Sequence, residues 1–219
     1  TENGWFCYKL CVPEPPEVTE IKNGSQALRI KPRTEAQREM SKLCVQGIGY
    51  KGNNLLCSNW NLDNLDALDY NGLYEYLHRM KYGKQFPGEK YTEGIPKDEF
   101  ESLMMEYLPI SEEELQKYAE FDKETNLYAW MPLGCSNYVP GFFGTSMPEV
   151  VAIKENPDDT ITLTVNAVCD MVLCDDSLIT HELTVKFKED GSFQYLGNQI
   201  CKEDENHIPQ YQYRVNGAG

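Results

Sequence analysis

Two long segments toward the C-terminus alternate apolar and polar residues with the period of two that a half-buried β-strand requires. In the first, Ile161, Leu163, Val165, Ala167 and Cys169 share one face, opposite Thr160, Thr162, Thr164, Asn166 and Val168. In the second, His181, Leu183, Val185 and Phe187 oppose Thr180, Glu182, Thr184 and Lys186. Asp190-Gly191, lying between Phe187 and Phe193, is a hairpin signal because glycine takes positive φ at no steric cost, and it pairs a strand ending near Lys188 with one at 192–196. Leu127 to Trp130 and Val150 to Lys154 read as further strands, the latter ending at the turn Asn156-Pro157-Asp158-Asp159.

Upstream the period changes to that of a helix. Thr34 and Gln37 form a capping box ahead of Ala36, Met40, Leu43 and Cys44, which predicts a helix near 35–46 stopped by Gly47 and Gly49. Leu73, Tyr74, Leu77 and Met80 make one stripe, hence a helix near 70–82 before Gly83, and a polar loop follows to Gly94. Pro96 suits the first position of a third helix, whose apolar face is Phe100, Leu103, Met104, Tyr107 and Leu108 and which Pro109 ends. Ser111 and Glu114 form a second capping box with acids in the first turn, opening a short helix to about Glu120. Pro13, Pro15, Pro16 and Pro32 keep residues 1–33 irregular, an N-terminal arm. Helices first and a meander afterwards is an α+β order. The expectation is a single domain over 34–219, with helices over about 35–120 packed on one face of a curved antiparallel β-meander over about 126–213.

Composition narrows the partners. The 219 residues carry 35 acids against 20 bases, a formal charge of −15 whose field repels a phosphate backbone, so nucleic acid is not an expected partner. No run approaches the ~20 apolar residues that cross a bilayer, and Thr1 opens no signal-peptide pattern. An address or anchor for export would therefore lie upstream. Eight cysteines, Cys7, Cys11, Cys44, Cys57, Cys135, Cys169, Cys174 and Cys201, lean toward an exported, disulfide-bearing chain. Free cysteine also packs as a small hydrophobe, so buried thiols compete with disulfides, and the spacings are not those of zinc sites.

Few residues suggest chemistry. The spacing of Asp63, Asp66 and Asp69, interrupted by leucines, reads as the wet side of a helical turn and not as a calcium loop. Asp158-Asp159 and Asp175-Asp176 read as turns. His181, on the apolar side of its strand, can meet Cys169 or Asp170 as a thiol nucleophile's base, or sit in the core as a satisfied histidine. Tyr128, Trp130, Tyr138, Phe142 and Phe143 crowd a Gly- and Pro-punctuated loop beside the sheet, where rings line a ligand pocket or plug the sheet's open end as core. These five, with His181, are the candidate ligand-binding residues. No catalytic or metal-ligating residue is assigned, and no cofactor is expected.

The stretch Pro132-Leu133-Gly134-Cys135-Ser136-Asn137-Tyr138, then Phe142-Phe143-Gly144-Thr145-Ser146 and Pro148-Glu149-Val150-Val151, resembles a family of uncharacterised exported proteins from gut Clostridia. Val168 to Asp176 and Thr180-His181-Glu182-Leu183-Thr184-Val185 are similar to it too. The resemblance is good over about 95–215 and implies a surface lipoprotein whose signal and lipid-bearing cysteine precede Thr1; it implies no activity. The order of elements is also similar to NTF2-like or cystatin-like folds, by analogy alone. The expected protein is a non-enzymatic binding module at a bacterial cell surface, taking a small molecule or glycan on the concave sheet face. A hydrolase or thiol enzyme built on Cys169, Asp170 and His181, and a structural envelope protein, are the alternatives.

Overall fold

The computed structural model describes residues 31–134, 146–169, 177–208 and 211–215, so the expected arm falls almost wholly outside them. The described chain is α+β. Four α-helices come first: α1 (Glu35–Met40), α2 (Tyr70–Tyr82), α3 (Lys97–Tyr107) and α4 (Glu112–Tyr118). A small antiparallel sheet is threaded among them, built from β1 (Ile95–Pro96), β2 (Phe121–Asp122) and β3 (Leu127–Tyr128) in the order β1-β3-β2. The larger sheet follows as a meander of β4 (Met147–Glu155), β5 (Ile161–Val168), β6 (Ser177–Phe187) and β7 (Phe193–Ile200), each strand beside its sequence neighbour.

The local signals act as their chemistry requires. Both capping boxes close reciprocally, Thr34 with Gln37 and Ser111 with Glu114. Gly83 ends α2 in the left-handed conformation, φ 63°. Gly191 turns the last hairpin at φ 83°, with Lys188 N–H donating to Ser192 O at 2.8 Å.

Four departures from the sequence reading have physical causes. The first helix becomes a π-helix at Ser41–Val45, where Ser41 Oγ donates to Gln37 O and accepts from Val150 N–H at 2.8 Å, joining helix to sheet edge. Pro96 is the N-cap of α3, not its first residue, because it is extended (ψ 139°) and pairs with Leu127. Val168 is buried despite its place in the polar alternation, since a bulge between Asn166 and Val168 resets the face. β7 runs on to Ile200 because the segment at Trp60 bridges it: Trp60 N–H donates to Asn198 O at 3.0 Å and Asn198 N–H returns 2.9 Å to Trp60 O. That bridge and Asn59, whose Oδ1 accepts from Ile200 N–H, cover part of an otherwise open strand edge.

One hydrophobic cluster joins both layers. Leu163, Val165, Leu183, Val185 and Tyr195 on the sheet pack toward Cys44, Val45, Leu77, Phe100 and Met104 from the helical layer, all buried. Tyr195 OH donates to Cys44 O at 2.6 Å across the layers. Among the described residues the inward face of the sheet is therefore filled, and the expected hollow on it is not where a guest would sit.

Candidate functional site

A groove of about 860 Å³ lies beside the second half of α2. The last turns of α2 supply Glu75, Tyr76 and Arg79; the loop after Gly83 supplies Lys84, Phe86 and Glu89; residues Trp130 to Leu133 and Arg214 complete it. The loop is ordered by its rings: Phe86 stacks on Tyr91 (centroids 5.0 Å, 12°) and meets Tyr74 and His78 edge-on. Phe86 also meets Trp130 edge-on at 5.0 Å. Gly88 is required here because a Cβ would stand 2.3 Å from the Trp130 ring.

Arg214 reaches the groove from a C-terminal segment tied to the start of α2. Asp69 caps α2 by accepting from Gly72 N–H at 2.9 Å, and its other oxygen accepts from Tyr211 OH at 2.7 Å and Arg214 N–H at 3.0 Å. Burial, then the Asp69 charge, pushes the Tyr211 hydroxyl well above the usual phenol range, so it stays a donor. The Arg214 side chain is 1 % exposed; Nη2 meets Glu75 at 2.8 Å, Nε donates to Met131 O at 2.7 Å, and the guanidinium lies 5.6 Å from the Trp130 ring centroid. Arg214 Nη1 and Trp130 Nε1 are both buried donors with no acceptor among the described residues. Each such donor left unmatched costs about 1–3 kcal/mol.

Of the other expected residues, the described ones, Tyr128 and His181, do not line this groove. Tyr128 is core, not ligand surface: it is fully buried, stacked on Phe100 at 3.9 Å, with its OH donating to Glu101 at 2.8 Å. Burial would raise the Glu101 carboxyl, but donors from Lys97, Gln116 and Tyr128 outweigh it and lower its pKa. Tyr138, Phe142, Phe143 and Asp170 lie outside the described residues. Asp69, expected on a wet face, is 3 % exposed because it caps α2 and holds the C-terminal segment.

His181 is fully buried and both of its nitrogens are engaged. Asn198 Nδ2 donates to Leu56 O and Ser58 O, so its Oδ1 faces the imidazole and accepts from Nδ1–H at 2.6 Å; Tyr50 OH then donates to Nε2 at 2.8 Å. Burial drives its pKa down to about 4. A neutral imidazole held on both sides has no free nitrogen to serve as base for Cys169, and none to offer a ligand.

Cys44, Cys57, Cys169 and Cys201 are free in the structure, the packed-thiol alternative to disulfides; Cys7, Cys11, Cys135 and Cys174 lie outside the described residues. Cys44 and Cys57 are buried as small hydrophobes, and burial raises each thiol to about 12. Sequence reasoning found Trp130 but missed Phe86, Arg79 and Arg214. The available signal was faint: a lone Phe86 beside Pro87-Gly88 in a polar loop, and an arginine among tyrosines in Tyr211-Gln212-Tyr213-Arg214.

Fold and groove define an α+β protein with a ring-walled cleft beside a buried arginine. The chain belongs to a family described as a family of unknown function, DUF6070, which it matches over residues 1–214. No curated protein and no solved structure matches it.

Proposed function

We propose that this protein is a non-enzymatic binding module whose small-molecule or glycan ligand occupies the groove between α2, the Phe86 loop and Trp130. One observation carries the reading: two buried donors, Arg214 Nη1 and Trp130 Nε1, stand without acceptors among the described residues, in two side chains that line the same groove that the aromatic loop shapes. Pockets that take small ligands combine apolar walls with a few fixed polar groups, and an unmatched buried donor is a group that a ligand can satisfy. An exported, surface-held location is part of the proposal and rests on the resemblance to exported lipoproteins; four free thiols withdraw the support of the cysteine count.

Calorimetric titration of a panel of small metabolites and oligosaccharides tests this. At least one compound is expected to bind the wild type and to lose affinity about tenfold or more in Trp130→Ala, with the circular dichroism spectrum unchanged. Equal affinity in wild type and variant, or no binding across the panel, would overturn the groove as the site.

A further inference from the structure

The groove's chemistry narrows the ligand. The Trp130 indole is hemmed in by three neighbours: Gly88 against its six-membered ring, Phe86 edge-on at 5.0 Å and the Arg214 guanidinium 5.6 Å from its centroid. So enclosed, it is a poor platform for a stacked sugar ring, and its remaining capacity is the unpaired Nε1–H. Arg214 likewise keeps its Nη1 amino group unpaired while Nε donates to the Met131 carbonyl and Nη2 to Glu75. Both vacancies are donors. The recognising chemistry is hydrogen-bond acceptance, and charge-assisted acceptance at arginine is the stronger kind.

Charge selects among acceptors. The groove lining holds Arg79, Lys84 and Arg214 against Glu75 and Glu89, one cation in excess, on a chain whose net charge is −15. With Arg214 already facing one carboxylate, a single further negative charge is balanced locally, whereas a doubly charged phosphate is not. We propose that the ligand presents a carboxylate whose two oxygens accept from Arg214 Nη1 and Trp130 Nε1. The inference rests on the groove being the ligand site. Met131, 44 % exposed, lines the same groove and holds Arg214 Nε through its backbone carbonyl.

The carboxylate can belong to an aromatic acid or to an acidic sugar, and the test separates them. Benzoate with benzamide, and galacturonate with galactose, are titrated into the full ¹⁵N-labelled chain while the indole N–H resonances of Trp5, Trp60 and Trp130 are followed, Trp130→Phe supplying the assignment. One acid is expected to shift the Trp130 resonance saturably and leave Trp60 unmoved, with its neutral partner silent. Arg214→Lys, which keeps the charge and loses the planar fork, is expected to weaken that acid about tenfold; an unmoved Trp60 resonance reports that the variant is folded. A neutral partner binding as tightly as its acid overturns the carboxylate while leaving the groove as a binding site. An acid that binds without moving Trp130, or silence from all four probes, overturns it as well, and the compound panel then judges the groove independently.

Discussion

Asn198 and Tyr50 hold the His181 ring in one neutral tautomer, and this residue-scale arrangement has a consequence for stability. Its folded pKa of about 4 lies below the ordinary 6.5, so the unfolded chain binds a proton first as pH falls. The stabilisation is complete above 6.5 and is lost progressively as pH drops toward about 4, in total roughly 3 kcal/mol. Between about pH 7.5 and about pH 5, wild type is expected to lose about 2 kcal/mol more stability in urea than His181→Gln does; identical pH slopes would refute the burial argument. Thiol accessibility is a second residue-scale expectation. Mass mapping after native labelling at neutral pH should find Cys44 and Cys57 unmodified until denaturant is added, because each is buried and far from its thiolate form. Rapid native labelling of either would be inconsistent with the packing described here. Both properties were open in the sequence, where His181 and Cys44 simply occupied apolar positions and periodicity is blind to a neighbour 131 residues away.

At the scale of elements, the beginnings and ends of helices were legible because they are decided within a few residues. Thr34 with Gln37, Ser111 with Glu114 and Gly83 are local contacts, and each acts as its type requires. Pro96 and Val168 were misread because a strand partner and a bulge, both non-local, decided their conformations. Asp69 links the two regimes: it is the local cap of α2 and also the anchor for Tyr211 and Arg214, 142 and 145 residues away. Asp69→Ala removes a cap and leaves buried donors unmatched, so a loss of about 3 kcal/mol in chemical denaturation is expected, against about 1 kcal/mol for an ordinary cap. A loss no larger than that of Ser111→Ala would show that the C-terminal segment draws nothing from this contact.

For the whole molecule, the groove exists because three distant stretches converge: the end of α2 and its loop, the residues after β3, and a C-terminal segment that carries Arg214. Alternation and helical period determined the order of elements, the α+β class and the antiparallel meander, since each depends on which side of a strand or helix is apolar. They also made Trp130 a candidate, as an aromatic on a loop. Only the tertiary structure decided that Tyr128 and His181 belong to the core, that the sheet's inner face is filled, and that an arginine from the tail stands over Trp130 with a donor to spare. The reason is range: pattern reports the side a residue faces, whereas burial and hydrogen bonding depend on what the rest of the chain brings against that side.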